Sequence, residues 1–179
     1  MKGSFGGLRA HVRHAVAARQ PIDEHERRCI AEFLEHFDTL AAPFDEESDP
    51  VHVTGSAIVV GPRGVLLLRH KRLEMWLQPG GHIDAGETPW DAALREAAEE
   101  TGLDVRFAGS VPRLVHVDVH PGGRGHTHLD LRYLVDGGEA EPAPPDDESQ
   151  EIEWLDWDSA IERAGDDRLK SALRSLRPS

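Results

Sequence analysis

Three glutamates and an arginine crowd one short stretch, Arg95-Glu96-Ala97-Ala98-Glu99-Glu100. On a helix, Glu96 and Glu100 are four apart and share a face. Like charges at that spacing destabilise a helix by about 0.2–0.5 kcal/mol. Glu99 and Glu100 also fall in the last turn, beside the negative end of the helix dipole. Local physics therefore opposes the arrangement twice, and two readings account for it. One is a solvated acidic face, eased by Asp91–Arg95 and Arg95–Glu99 pairs at four-residue spacing. The other is a site for a hard divalent cation, Mg²⁺ or Mn²⁺, which takes oxygen ligands and cancels the repulsion.

A second concentration of polar side chains runs His116-Val-Asp118-Val-His120 and then His126-Thr-His128-Leu-Asp130-Leu-Arg132. Strand alternation puts each set on one face, with Pro121 to Gly125 as the turn between them. If the two strands pair, their polar faces meet. Either that face is solvated or structural opposite a buried Val/Leu face, or His126, His128, Asp130 and Arg132 form a wall against a ligand. In the second case His and Arg would bind phosphate, or the histidines a transition metal. His70 and His82 stand alone and read as surface or structural residues. Trp76, Trp154 and Trp157 read as core or near-core.

These groups need elements to hold them. Thr88 is an N-cap, Pro89 suits the first helical position, and Gly102 suits a left-handed cap, which predicts a helix over 88–101. Its buried stripe is Trp90, Ala93, Leu94 and Ala97. Upstream, Leu8 to Ala41 reads as two helices broken at Gln20-Pro21, and the second carries the stripe Ile22, Cys29, Ile30, Phe33, Leu34, Phe37 and Leu40. That stripe must bury against its own chain or a partner. Strands are expected at 51–60, 65–69, 105–108, 111–120, 127–135 and 152–155, and helices at 159–164 and 167–176. Residues 45–50 look like a linker, giving an N-terminal helical segment over 1–49 and a second unit over 50–179. The order is that of an α/β or α+β protein.

The 179 residues carry a formal charge of −13, which argues against binding a nucleic-acid polymer or a membrane surface. A lone cysteine, Cys29, rules out an internal disulfide or a cysteine-based zinc site. No apolar run is long enough for a bilayer, and no secretory signal follows Arg9, Arg13 and Arg19, so a cytoplasmic protein is expected. An acidic chain acting on an anion needs cations at its site.

The stretch from Gly81 through Glu87 and Arg95-Glu96-Ala97-Ala98-Glu99-Glu100-Thr101-Gly102-Leu103 resembles the Nudix box. All seven fixed positions match, and only Ala97 is small for its aliphatic slot. A chance match is on the order of 10⁻⁸ per starting position, from average residue usage. Trp76-Leu-Gln-Pro-Gly80 resembles the usual lead-in, and the strand order extends the likeness over about residues 51–158. The resemblance implies a Nudix α/β/α sandwich with a mixed sheet, to which the N-terminal helices are an addition.

It also implies hydrolysis of a diphosphate in a small-molecule substrate, a nucleoside diphosphate linked to another group, with Mg²⁺ or Mn²⁺ as cofactor. Glu96, Glu99, Glu100 and the carbonyl of Gly80 are then the implied metal ligands, and Glu87 and Arg95 the pair that aims them. In many relatives a loop glutamate outside the box acts as base. Glu148, six residues before Trp154, is the first candidate here and Glu151 the second; the box glutamates are alternatives, and the loop is otherwise a solubilising segment. The resemblance admits a homodimer. Two other readings share the fold: an enzyme similar to isopentenyl-diphosphate isomerase, and a non-catalytic nucleotide-binding regulator acting through residues 8–41. The placement of Cys29 counts against the first, and the full set of carboxylates against the second.

Overall fold

Residues 5–178 are described in a computed structural model. The β-branched run after Pro50 forms β1 (Val51–Gly61), and the turn at Pro62-Arg63 returns it as β2 (Gly64–Arg69), with Gly61 opposite Gly64. Then come β3 (Trp76–Leu77), β4 (Gly80–His82), β5 (Arg106–Phe107), β6 (Leu114–Pro121), β7 (Thr127–Asp136) and β8 (Ile152–Leu155). The described residues form one sheet in the order β3-β2-β1-β7-β5, with β4 on β1, β6 on β7 and β8 on β2. The β1–β7 pair is parallel and its neighbours are antiparallel, so the sheet is mixed.

Helices cover both faces. α1 (Phe5–Ala18), α2 (Glu24–Thr39) and α3 (Pro89–Thr101) share one apolar cluster with Val53, Ala57, Val59, Leu129, Leu131 and Val135. α4 (Trp157–Arg163) and α5 (Asp167–Leu176) close the other face over Ile58, Val65 and Leu67. This is the expected α/β/α arrangement. The stripe of α2 is buried within its own chain, with Phe33 and Phe37 fully enclosed. No helix among the described residues is long and apolar enough to cross a membrane.

The start of α2 does more than fill space. β6 has β7 on one side only, and an open strand edge presents unpaired backbone groups. Glu26, fully buried, accepts from the Val117 amide at 3.0 Å, the Ile22 amide at 2.7 Å and Arg19 Nε at 2.8 Å. Arg19 in turn donates to the Val115 carbonyl. One ion pair thus satisfies the β6 edge and docks the helices. Glu26→Ala leaves those donors unpaired and is expected to cost about 2–4 kcal/mol, read from the urea unfolding midpoint. A loss under 0.5 kcal/mol would contradict this role.

Several expectations change. β4 is an unforeseen strand, because Gly80-Gly81 carries no strand propensity. Its glycines serve close approach: a Cβ on Gly80 would collide with Ser56, and one on Gly81 with the Glu96 carboxylate. The strand expected over 105–108 is only two residues long, and the one expected from 111 begins at Leu114. In α3, Ala92 joins the buried set while Trp90 and Leu94 stay half-buried. The hairpin's polar face is not solvated. His116, Asp118, Asp130 and Arg132 are all buried, because α2 and α5 pack over that edge.

Candidate active site

α3 is held at both ends as its sequence dictates. Thr88 accepts from the Asp91 amide, and Gly102 caps with φ 68° while donating to the Ala98 carbonyl. Arg95 lies at the centre of the acidic groups. It grips Glu87 with Nε at 2.9 Å and Nη2 at 3.0 Å, and reaches Glu96 at 2.8 Å and Glu99 at 3.2 Å through Nη1. Nη2 also donates to the His82 carbonyl at 2.9 Å, and Glu87 accepts from the Asp84 amide at 3.0 Å. Burial works against the Glu87 charge, but the guanidinium and that amide hold its carboxyl below the usual range. The loop from β4 into α3 is therefore locked by one arginine.

Glu100 is the most strained acid of the group. The Gly80 amide donates to it at 2.9 Å, yet burial, followed by Glu96, Glu148 and Glu99, pushes its carboxyl up to about 8. Burial also raises Glu96, against the pull of Arg95. Glu100 and Glu148 line a cavity of about 300 Å³ whose other walls are Leu68, His70, Lys71, Arg72 and Ser149. The two acids thus share a cavity large enough for a phosphate group with Lys71 and Arg72, while burial and then Arg72 hold the His70 ring below its usual range. Glu151 goes elsewhere, into an exposed pair with Arg69 at 2.9 Å.

The buried hairpin face is a polar network. Arg132 donates to Asp118 at 2.9 Å and to Asp130 at 3.0 Å. Thr54 and Ser56 of β1 donate to the two oxygens of Asp130 at 3.1 and 2.9 Å. Burial opposes ionisation of Asp118, and Arg132 and Arg168 overcome it and keep its carboxyl low. His116, buried beside Arg132, has its pKa driven down to about 3, first by burial and then by that charge. The folded chain holds it neutral, whereas the unfolded chain protonates it near 6.5. Its stability contribution is complete above pH 6.5 and is lost as pH falls from there toward 3, by at most about 1.4 kcal/mol per pH unit. His116→Gln is expected to flatten the fall in Tm between pH 6.5 and 4; an unchanged slope would contradict this.

The geometry on α3 and the order of the strands around it can be set against known proteins. The NUDIX domain family matches residues 50–176, well over half of the chain. The chain belongs to the Nudix family. It is 30% identical over 95 residues to the "Probable DHNTP pyrophosphohydrolase" of Lactococcus lactis, covering 51% of this chain and 57% of that protein. It is 29% identical over 146 residues to the RNA pyrophosphohydrolase of Brucella melitensis, covering 69% of this chain and 82% of the relative. A Nudix-family hydrolase structure from Clostridium perfringens superposes with a TM-score of 0.61 at 26% identity, over 70% of this chain and 98% of that one. The chain thus spans little more than half of the first relative's length.

On the Nudix helix the structure gathers Glu96, Glu99, Glu100, Arg95, Glu87 and the Gly80 backbone, as the box implies. It brings Glu148 to them and leaves Glu151 apart. Asp130 and Arg132 lie in the buried network, while His126 and His128 lie in a group of histidines with His52 and His82. His70, Lys71 and Arg72, which line the cavity with Glu100, were not grouped in the sequence reading. The signal was three basic residues in a row after β2 in an acidic chain.

Proposed function

We propose that this chain is a Nudix hydrolase that uses Mg²⁺ or Mn²⁺ to cleave a diphosphate bond in a nucleotide derivative. The observation that carries the reading is the cavity lined together by Glu100, Glu148, Lys71 and Arg72. The donor set fits a hard cation. Glu96, Glu99 and Glu100 offer only oxygen, and the buried acids repel one another in its absence. Glu96, Glu100 and the Gly80 carbonyl would hold the ion, with Glu99 beside them. Such an ion supplies charge neutralisation at phosphoryl oxygens and acidifies water.

The chain's own residues do the rest. Arg95 and Glu87 fix where Glu96 points, because a ligand already held loses little freedom on binding. Lys71 and Arg72 bind phosphoryl oxygens across the cavity. Glu148 takes the proton of the attacking water on a carboxylate oxygen. The water oxygen attacks phosphorus, the bond to the bridging oxygen breaks, and that oxygen leaves with its phosphate. Glu151, tied to Arg69, is set aside as base. We assign Asp130 and Arg132 to supporting the sheet beneath the site, with substrate contact passing to Lys71 and Arg72. The pyrophosphohydrolase names of two relatives agree with this chemistry.

An isomerase that relies on a reactive thiol is disfavoured. Cys29 lies on α2 against Asp118, and burial pushes its thiol up to about 11, where little thiolate exists at neutral pH. The test is phosphate or nucleotide release from a panel of nucleoside triphosphates, dinucleoside polyphosphates, sugar nucleotides and ADP-ribose. The reading requires turnover of at least one with Mg²⁺ or Mn²⁺ and none with chelator. Equal turnover with chelator would overturn it.

A further inference from the structure

Three histidines that this hydrolysis does not use meet at one end of the sheet. His52 stands near the start of β1, His128 near the start of β7, and His82 at the end of β4; His52 and His128 are partners in the parallel β1–β7 register. Their ring centroids lie 5.1, 5.2 and 5.3 Å apart pairwise. One ring nitrogen from each lies within 4.8 Å of one from each of the others. Solvated histidines do not explain this grouping, because His52 is fully buried and the Nε2 atoms of all three are buried without a hydrogen-bond partner.

The tautomers follow from the partners of the other ring nitrogen. His52 Nδ1 lies 3.1 Å from the Asp49 carbonyl, and His82 Nδ1 lies 3.1 Å from a Glu46 carboxylate oxygen. A carbonyl and a carboxylate only accept, so each Nδ1 carries the proton and each neutral ring leaves its lone pair on Nε2. Such a carboxylate or carbonyl behind the ring is the support that metal-binding histidines use. Gly122 packs closely on the His128 ring, since a Cβ there would collide with it. Buried lone pairs with no donor are costly, and a cation shared by the three rings would satisfy them together.

We propose that His52, His82 and His128 form a zinc site distinct in residues and chemistry from the carboxylates of the Nudix helix. Imidazole nitrogens suit Zn²⁺, whereas Mg²⁺ takes oxygen. His126 and Glu46 form a second group with His52, with ligand atoms within 4.8 Å of one another, at the same end of the sheet. The ion would tie β1 and β7 to β4, the strand that leads into the Nudix box. Its role is to hold that entry in place.

The test uses the full chain without an affinity tag, loaded with Zn²⁺, passed over a weak chelator and analysed for metal. About one Zn²⁺ per chain is expected to remain, unaffected by excess Mg²⁺. Retention should fall about tenfold or more in His82→Gln and in His128→Gln, and stay unchanged in Glu100→Gln. X-ray absorption at the zinc edge of the wild-type chain needs no variant to fold; imidazole nitrogens at about 2.0–2.1 Å are expected. Loss of zinc from the wild-type chain, retention by both histidine variants, loss in Glu100→Gln, or an oxygen-only shell would each overturn the site. Phosphate release from the substrate panel reads the hydrolase proposal independently.

Discussion

Glu100→Gln is expected to lower turnover by on the order of 10³-fold or more while leaving the fold intact. The amide keeps the shape of the side chain and one acceptor oxygen, but it removes the charge that a divalent ion requires. A Lewis-acid ion contributes several kcal/mol to phosphoryl transfer, and each 1.36 kcal/mol is a factor of ten in rate. The same change should not destabilise the cation-free chain. Glu100 is buried among Glu96, Glu99 and Glu148, so its charge is unfavourable there, and Gln removes it. Thermal unfolding in chelator should give a Tm at or above that of the wild type, alongside the lost turnover. Wild-type turnover in this variant would contradict the assignment of Glu100 as a ligand, and a Tm well below wild type would contradict its place as a strained acid.

Arg132→Met is expected to have the largest effect on stability. It leaves Asp118 and Asp130 buried without the guanidinium that both share. Removing one member of a buried ionic group costs about 3–5 kcal/mol, because the remaining charge has nowhere to go. In a domain of this size that lowers Tm by roughly 10 °C. Arg168, 3.6 Å from Asp118, offers only partial relief. A residue that served only to touch substrate would instead raise KM and leave unfolding unchanged. Differential scanning calorimetry separates the two, and a Tm within about 1 °C of wild type would contradict the supporting role.

The ends of α3 and its shared acidic face were legible in the sequence because local rules set them, whereas the sandwich and the metal roles came from the resemblance to the Nudix box. Thr88, Pro89 and Gly102 mark the ends of α3 by capping chemistry, and the spacing of Glu96 and Glu100 puts them on one face whatever the surroundings. The alternation of 116–120 and 126–132 likewise anticipated the pairing of β6 with β7. What alternation could not convey was burial, since Asp118 and Arg132 look solvated until each is seen to neutralise the other under α2 and α5. β4 was illegible for a related reason. Its glycines are there for what they touch, Ser56 and Glu96, and those neighbours are 24 and 15 residues away in sequence. The histidine group draws on β1, β4 and β7, so His52 and His82 looked unrelated to His128 when read along the chain, whereas His70, Lys71 and Arg72 are adjacent and only their cavity was hidden. Spacing from Trp154 favoured Glu148 over Glu151 in the sequence, and in the structure Glu151 lies in a pair with Arg69.

A crystal soaked with Mn²⁺ and a non-hydrolysable diphosphate compound, measured at the manganese absorption edge, puts the central claim to its most direct test. The account predicts an anomalous peak bounded by Glu96, Glu100 and the Gly80 carbonyl. Manganese found elsewhere, or none there with the diphosphate bound, would contradict it.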